Sequence, residues 1–169
     1  MGRLQTLFLW LLLMSGCAGP GNEPAPPPLE PAPTAMGFYC GMALSEHPGP
    51  KGQIHVAGEP APLWFSSVRD AFAYLQLEGA TRRIQAFYVH DMGRADWRKP
   101  QAGTWIAAKG AIFVLGSRRG GGMGDAEIVP FGERAQAEAF AREYGGRVAD
   151  YEMVRKEEMF PAKKESGPS

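Results

Sequence analysis

The sequence predicts an α+β fold of two small β-β-α-β units set behind a secretory leader and a proline-rich tether. Three observations carry that prediction. Two stretches, APLWFSSVRDAFAYLQL and EIVPFGERAQAEAFAREYGG, each run from an apolar extended piece through a polar break into a helical pattern. Each of them is preceded by one strand candidate and followed by another. Prolines crowd the chain between residues 18 and 35 and become sparse beyond it, which marks where the folded body begins.

The first unit spans residues 36–97. Its opening strand is GQIHVAG (52–58), and its extended apolar piece ends at Phe65. Ser66 or Ser67 then offers a hydroxyl N-cap. Val68, Ala71, Phe72 and Leu75 recur at three- and four-residue spacing, which makes them the buried face of a helix. RRIQAFYVHDM (82–92) reads as the strand that follows. The second unit spans 98–155, with a linker near 98–103. AIFVLGS (111–117) matches the opening strand, Ala135, Ala139 and Phe140 share a helix face, Gly145 and Gly146 stop that helix, and GRVADYEMV (146–154) is the closing strand. Identity between the two units is thin, and the alternative is one α+β domain with coincidentally similar pieces.

The termini lie outside this body. Residues 1–16 hold one basic residue, Arg3, and an apolar run from 7 to 14, too short to span a bilayer and typical of a secretory signal. Small residues Ser15 and Gly16 precede Cys17, a pattern that resembles a bacterial lipobox with Cys17 as the lipidated mature N-terminus. Acyl chains there would anchor the protein to a membrane; ordinary secretion with Cys17 cut away is the alternative. Ala18 after the cysteine favours the outer over the inner membrane by analogy with lipoprotein sorting. Residues 17–35 read as a polyproline-like tether of about 3 Å per residue, and residues 156–169 as a disordered tail. Eighteen basic residues balance eighteen acidic ones, so no basic footprint for nucleic acid exists.

Only two cysteines are present. If Cys17 is lipidated, Cys40 has no partner, and outside the cytoplasm an idle thiol is exposed to oxidation. Cys40 is therefore a buried filler, a nucleophile or a metal ligand. In Cys40-Gly41-Met42 an extended backbone would put both sulfurs on one face, with Gly41 free to turn if needed. Thiolate with thioether is a soft donor set that selects Cu(I), whereas zinc prefers cysteine and histidine. Met92, in YVHDMG, ends the first unit's last strand; Met123, in a glycine-rich loop, reads as a lid or a secondary ligand. Met153 and Met159 read as core filler. His47, in a turn, and His90, on the same strand face as Met92, could each complete a three-coordinate site. His55, between Ile54 and Val56, reads as structural, and Asp91 and Asp96 as orienting or capping groups.

FYCGM, HPGPKGQIHVAGEPAPLWFSSVRDAFAYL, IQAFYVHDMG and AIFVLGSRRGGGMG, in that order and spacing, resemble the nitrous-oxide-reductase accessory protein NosL family. The resemblance covers nearly all of the body. It implies a periplasm-facing lipoprotein of two β-β-α-β units, with a topology related to organomercurial lyase. It implies a Cu(I) metallochaperone that serves the copper-centre maturation machinery of nitrous oxide reductase, and is not an enzyme. The metal ligands it implies are Cys40, Met42 and Met92, with His47 and His90 as further candidates. It leaves open whether two protomers of a homodimer share one ion. Two other readings compete: a thiol enzyme with Cys40 as nucleophile and His47 or His90 as base, and an envelope interaction lipoprotein that binds no metal.

Overall fold

The structure is a computed structural model that describes residues 24–122, 124 and 126–160. The leader, Cys17 and Met123 fall outside the described residues.

Two sheets form, each built in the same way. In the first, β1 (Gly52–Val56) lies between β2 (Leu63–Phe65) and β3 (Ile84–His90), antiparallel to both. In the second, β5 (Ile112–Leu115) lies between β6 (Val129–Phe131) and β7 (Arg147–Asp150), again antiparallel to both. A helix joins the second and third strands of each unit: α1 (Val68–Leu77) in the first and α2 (Arg134–Tyr144) in the second. The order of elements is thus β-β-α-β twice, and the strand that comes first in sequence sits centrally in both sheets.

One element has no counterpart in the repeat. β4 (Trp105–Ala107) pairs with the outer edge of β3 and widens the first sheet to four strands. Three residues are too few for a period-two pattern, and β4 forms because the edge of β3 supplies its bonds.

Helix α1 begins at Ser67, whose hydroxyl accepts the Asp70 N–H at 3.0 Å. Its buried face is wider than the spacing indicates and includes Ala73 and Tyr74. Helix α2 instead turns Ala137, Phe140, Ala141 and Tyr144 inward; Ala135 and Ala139 are exposed. Alanine's short side chain carries little facial information, so the i, i+4 alanine spacing fits either side of the helix, and the inward pair is the one shifted by two residues. Gly145 ends α2 with φ of 76°.

Phe72 joins the units. Its ring meets Phe87 of β3, Phe113 of β5 and Tyr151, the last in a 3-10 turn (Tyr151–Met153) where the closing strand was expected to continue. Val68 and Val89 from the first unit share this cluster with Leu115 and Ala149 from the second. Met159 is buried in it as well, because Lys156–Met159 forms the short helix α3 against α1; order therefore extends past 155, while Met153 is exposed rather than core.

The tether also departs from a free spacer. Gln53 is fully buried, and its side-chain amide exchanges two hydrogen bonds with the Leu29 backbone, both 2.9 Å. Tyr88 donates its hydroxyl to the Pro26 carbonyl at 2.7 Å, and Glu30 accepts from Gly103 N–H and Trp105 Nε1. An extended proline-rich strand makes no internal hydrogen bonds, so its backbone groups are free for such partners. The segment lies over the face of the first sheet away from α1.

Because Phe72 serves both units, Phe72→Ala is expected to destabilise the protein by about 3–5 kcal/mol. Denaturant unfolding followed by fluorescence and circular dichroism should still show one coincident transition; two separated transitions would mean the units fold independently.

Candidate functional site

The candidate residues gather at one end of the first sheet. Gly52, at the start of β1, pairs with Phe65 at the end of β2 and with Val89 near the end of β3, and His90 pairs with Trp105 at the start of β4. Ser66, Lys51, His90 and Thr104 therefore follow or precede strand ends side by side. At about 4.8 Å per strand, Ser66 and His90 are roughly 10 Å apart across the sheet.

Cys40 reaches this end on a closed turn. Met36 and Ala43 form a bridge, Gly37 N–H bonds the Met42 carbonyl at 2.9 Å, and Gly41 N–H bonds the Gly37 carbonyl at 2.8 Å. Phe38 N–H bonds the Trp64 carbonyl, and the Phe38 ring meets Phe65 and Tyr74, so the turn is pinned to β2 and α1. Gly41 has φ of +63°, and a Cβ on Gly37 would meet Cys40 Sγ at 2.6 Å, so both positions require glycine. Cys40-Gly41-Met42 is accordingly a turn and not an extended strand, so the period-two alternation expected of the two side chains does not apply.

The Cys40 thiol is partly buried. Its sulfur lies 3.4 Å from Ser66 Oγ and 4.0 Å from the Gly37 carbonyl, while Met42 is exposed. Ser67 takes the capping role, which leaves Ser66 to the thiol; the sequence offered both serines for the cap. Cys40 also lines an open cavity of about 260 Å³ with Ser67, Asp70 and Glu127. Sequence reasoning missed Glu127. Its carboxylate is fully buried and accepts from the backbone N–H groups of Arg69 and Ile128, and burial raises its pKa to about 7. A lone acidic residue ahead of an apolar run gives no sequence signal of this kind.

His47 and His90 come together in an adjoining cavity of about 190 Å³, which Lys51 and the tether residues Pro31, Ala32 and Pro33 also line. Both imidazoles are buried, and neither Nε2 has a hydrogen-bond partner among the described residues. Burial, then the Lys51 ammonium, holds His90 down to about 3, so its ring is neutral. Lys51 itself is lowered to about 8 by burial, and its ammonium donates to the Pro48 and Gly49 carbonyls. Gly121 packs on Glu127 and Gly122 on His47, so the glycine-rich loop passes between the two cavities.

Met92 is not brought into either cavity. Its N–H bonds the Pro130 carbonyl, and its side chain packs against the Val129, Phe131 and Ala137 cluster and lines a third cavity with Trp97, Arg119 and Phe140. Asp91 Oδ1 accepts from Gly93 and Gly132 N–H, and Asp96 Oδ1 from Arg98 and Lys99 N–H, so both are capping groups. His55 shares a hydrogen bond of 3.0 Å with Gln53 Oε1 and stands edge-on to Tyr88, a structural role.

The fold and this site define a two-unit α+β head that collects a thiol, a thioether and two bare imidazole nitrogens at one sheet end. The family model NosL matches residues 28–159, and the chain belongs to the NosL family. It is 50% identical over 123 residues to the copper-binding lipoprotein NosL of Achromobacter cycloclastes, covering 72% of this chain and 64% of that relative, so it spans just under two thirds of the relative's length. It is 37% identical over 156 residues to the copper-binding lipoprotein NosL of Stutzerimonas stutzeri, covering 87% of this chain and 78% of that one. The crystal structure of the copper chaperone NosL from Shewanella denitrificans superposes with a TM-score of 0.70 at 34% identity, covering 78% of this chain and 98% of that chain. These relatives carry the names of copper proteins and not of enzymes.

Glu127 gives a testable pH dependence. With a folded pKa near 7 against an ordinary 4.5, the folded state keeps a proton that the unfolded chain loses. That stability is fully present below pH 4.5 and is lost as pH rises through 7, with a slope of up to about 1.4 kcal/mol per pH unit. Urea midpoints of Glu127→Gln should be flat across that window relative to wild type; an equally steep decline in the variant would refute the assignment.

Proposed function

We propose that the protein is a lipid-anchored Cu(I) chaperone on the periplasmic side of a bacterial membrane, held there through Cys17, that supplies copper for the centres of nitrous oxide reductase. The observation that carries the reading is the partly exposed Cys40 thiol on a pinned turn with exposed Met42 two residues on. The names of the relatives support copper as the cargo.

Cu(I) displaces the thiol proton, which leaves to solvent, and the Cys40 thiolate takes the ion with the Met42 thioether as second donor. A nitrogen from His90 or His47 completes the site. The gap of roughly 10 Å between strand ends requires the turn and the imidazole cavity to close on each other, across the glycine-rich loop. Met92 can add a third sulfur only by leaving its cluster beside Val129 and Phe131. With few ligands and one neutral thioether, the site releases its cargo by ligand exchange: a sulfur or imidazole of the acceptor joins the ion before Met42 leaves. The acceptor is the copper-maturation machinery or the reductase itself, and two protomers presenting the same turn could share an ion.

A nucleophile role for Cys40 finds less support. A thiol enzyme needs a base within hydrogen-bond reach. The sulfur's neighbours are a serine hydroxyl and a carbonyl, and both histidine Nε2 atoms are unbonded.

Anaerobic competition with a Cu(I) chelator tests the reading. Cys40→Ser is expected to abolish competitive binding, and Met42→Ala to weaken it on the order of tenfold, about 1.4 kcal/mol. Affinity should fall as pH drops, because protons compete with copper for the thiol. Wild-type affinity in Cys40→Ser would sink the copper site, and wild-type affinity in Met42→Ala would leave a lone thiolate and reopen the nucleophile.

A further inference from the structure

The cavity shared by the two histidines poses a question of orientation. A neutral imidazole carries one proton, and only the bare nitrogen can bind a metal. The neighbours of His90 decide which nitrogen that is. His90 Nδ1 lies 3.4 Å from Thr104 Oγ1, and Thr104 Oγ1 lies 2.8 Å from the Gln101 carbonyl. A carbonyl only accepts, so the single hydroxyl proton of Thr104 is committed to the shorter contact with Gln101. Oγ1 can then serve His90 only as an acceptor, which puts the imidazole proton on Nδ1. Nε2 is left as a lone pair, buried and without a hydrogen-bond partner among the described residues, on a side chain that lines the same cavity as His47.

Other contacts fix the ring and leave that lone pair free. Trp105 meets the imidazole edge-on, with centroids 3.8 Å apart at 83°, and Trp105 is itself held through Nε1 by Glu30 of the tether. Lys51, the ammonium in the same cavity, directs its hydrogens to the Pro48 and Gly49 carbonyls. Thr104 is buried, which shields its bond to the Gln101 carbonyl from competing solvent.

We propose that Thr104, locked by the Gln101 carbonyl, is a positioning residue that holds His90 in the Nδ1–H tautomer and presents its Nε2 lone pair to the cargo ion. This rests on the copper reading above and selects His90 as the nitrogen ligand. Ligating histidines commonly donate their other N–H to such an oriented acceptor, and loss of the acceptor lowers metal affinity by about 10- to 100-fold. Nothing in the spacing of the sequence points to Thr104, which lies fourteen residues from His90 and meets it only through the pairing of β3 with β4.

Long-range proton–nitrogen NMR of the full, metal-free chain reads the tautomer directly. Wild type and Thr104→Ser are expected to show His90 with Nδ1 protonated and Nε2 bare. In Thr104→Val, of nearly the same shape, the protonated-Nε2 form should appear, and Cu(I) affinity by chelator competition should fall about tenfold or more while the serine variant keeps it. A wild-type His90 protonated on Nε2 would overturn the proposal, as would a valine variant with unchanged tautomer and affinity. The two readings fail separately. If the tautomers follow Thr104 but copper loading leaves the His90 nitrogens unshifted while Cys40→Ser abolishes binding, the ligand role of His90 is refuted and the chaperone reading stands. If Cys40→Ser binds copper like wild type, the chaperone site itself fails.

Discussion

Everything at the site depends on the closure of the 36–43 turn. The Met36–Ala43 bridge and the two bonds to Gly37 reverse the chain tightly enough to bring Cys40 and Met42 to the surface together. Phe38 then fastens the turn to β2 and α1 through a backbone bond and two ring contacts. Without that closure the thiol would be either buried as filler or loose as an oxidisable side chain. With it, the sulfur rests half-sheltered against the Ser66 hydroxyl.

The sheet supplies the second half of the arrangement. Antiparallel pairing around β1 sets the end of β2, the start of β1, the end of β3 and the start of β4 side by side, so residues far apart in sequence meet. The proline-rich segment covers the face that carries Gln53, Tyr88, His90 and Trp105, and its residues Pro31 to Pro33 wall the imidazole cavity. The proline-rich segment is thereby part of the head and not a free spacer. The second unit contributes less chemistry and more support: its cluster holds Met92, and Phe113, Leu115 and Tyr151 complete the core around Phe72.

Much of the fold was legible because apolar side chains at fixed periods report burial. Strands such as Ile54–Val56 and Phe113–Leu115, and the face of α1, follow from that alone. The duplicated β-β-α-β order was legible for the same reason. What was not legible depends on contacts without period. The alanine-rich face of α2 has too little contrast between its sides, β4 is too short, and the docking of residues 26–30 is set by scattered polar groups, the buried Gln53 amide with Tyr88, Gly103 and Trp105. At the site, residue chemistry singled out Cys40, Met42, His47 and His90. The meeting of His47 and His90 at one cavity, the separate packing of Met92, and the placing of Ser66, Thr104 and Glu127 beside these residues come from tertiary pairing, which no local spacing encodes.

The central claim is that two sulfurs on one turn and one imidazole nitrogen hold a single monovalent copper ion. X-ray absorption at the copper edge of the Cu(I)-loaded protein tests it most directly. The account predicts a first shell with both sulfur and nitrogen neighbours, losing one sulfur in Met42→Ala and its nitrogen in His90→Ala. A shell of nitrogen and oxygen alone, or a sulfur count untouched by the loss of Met42, would contradict it.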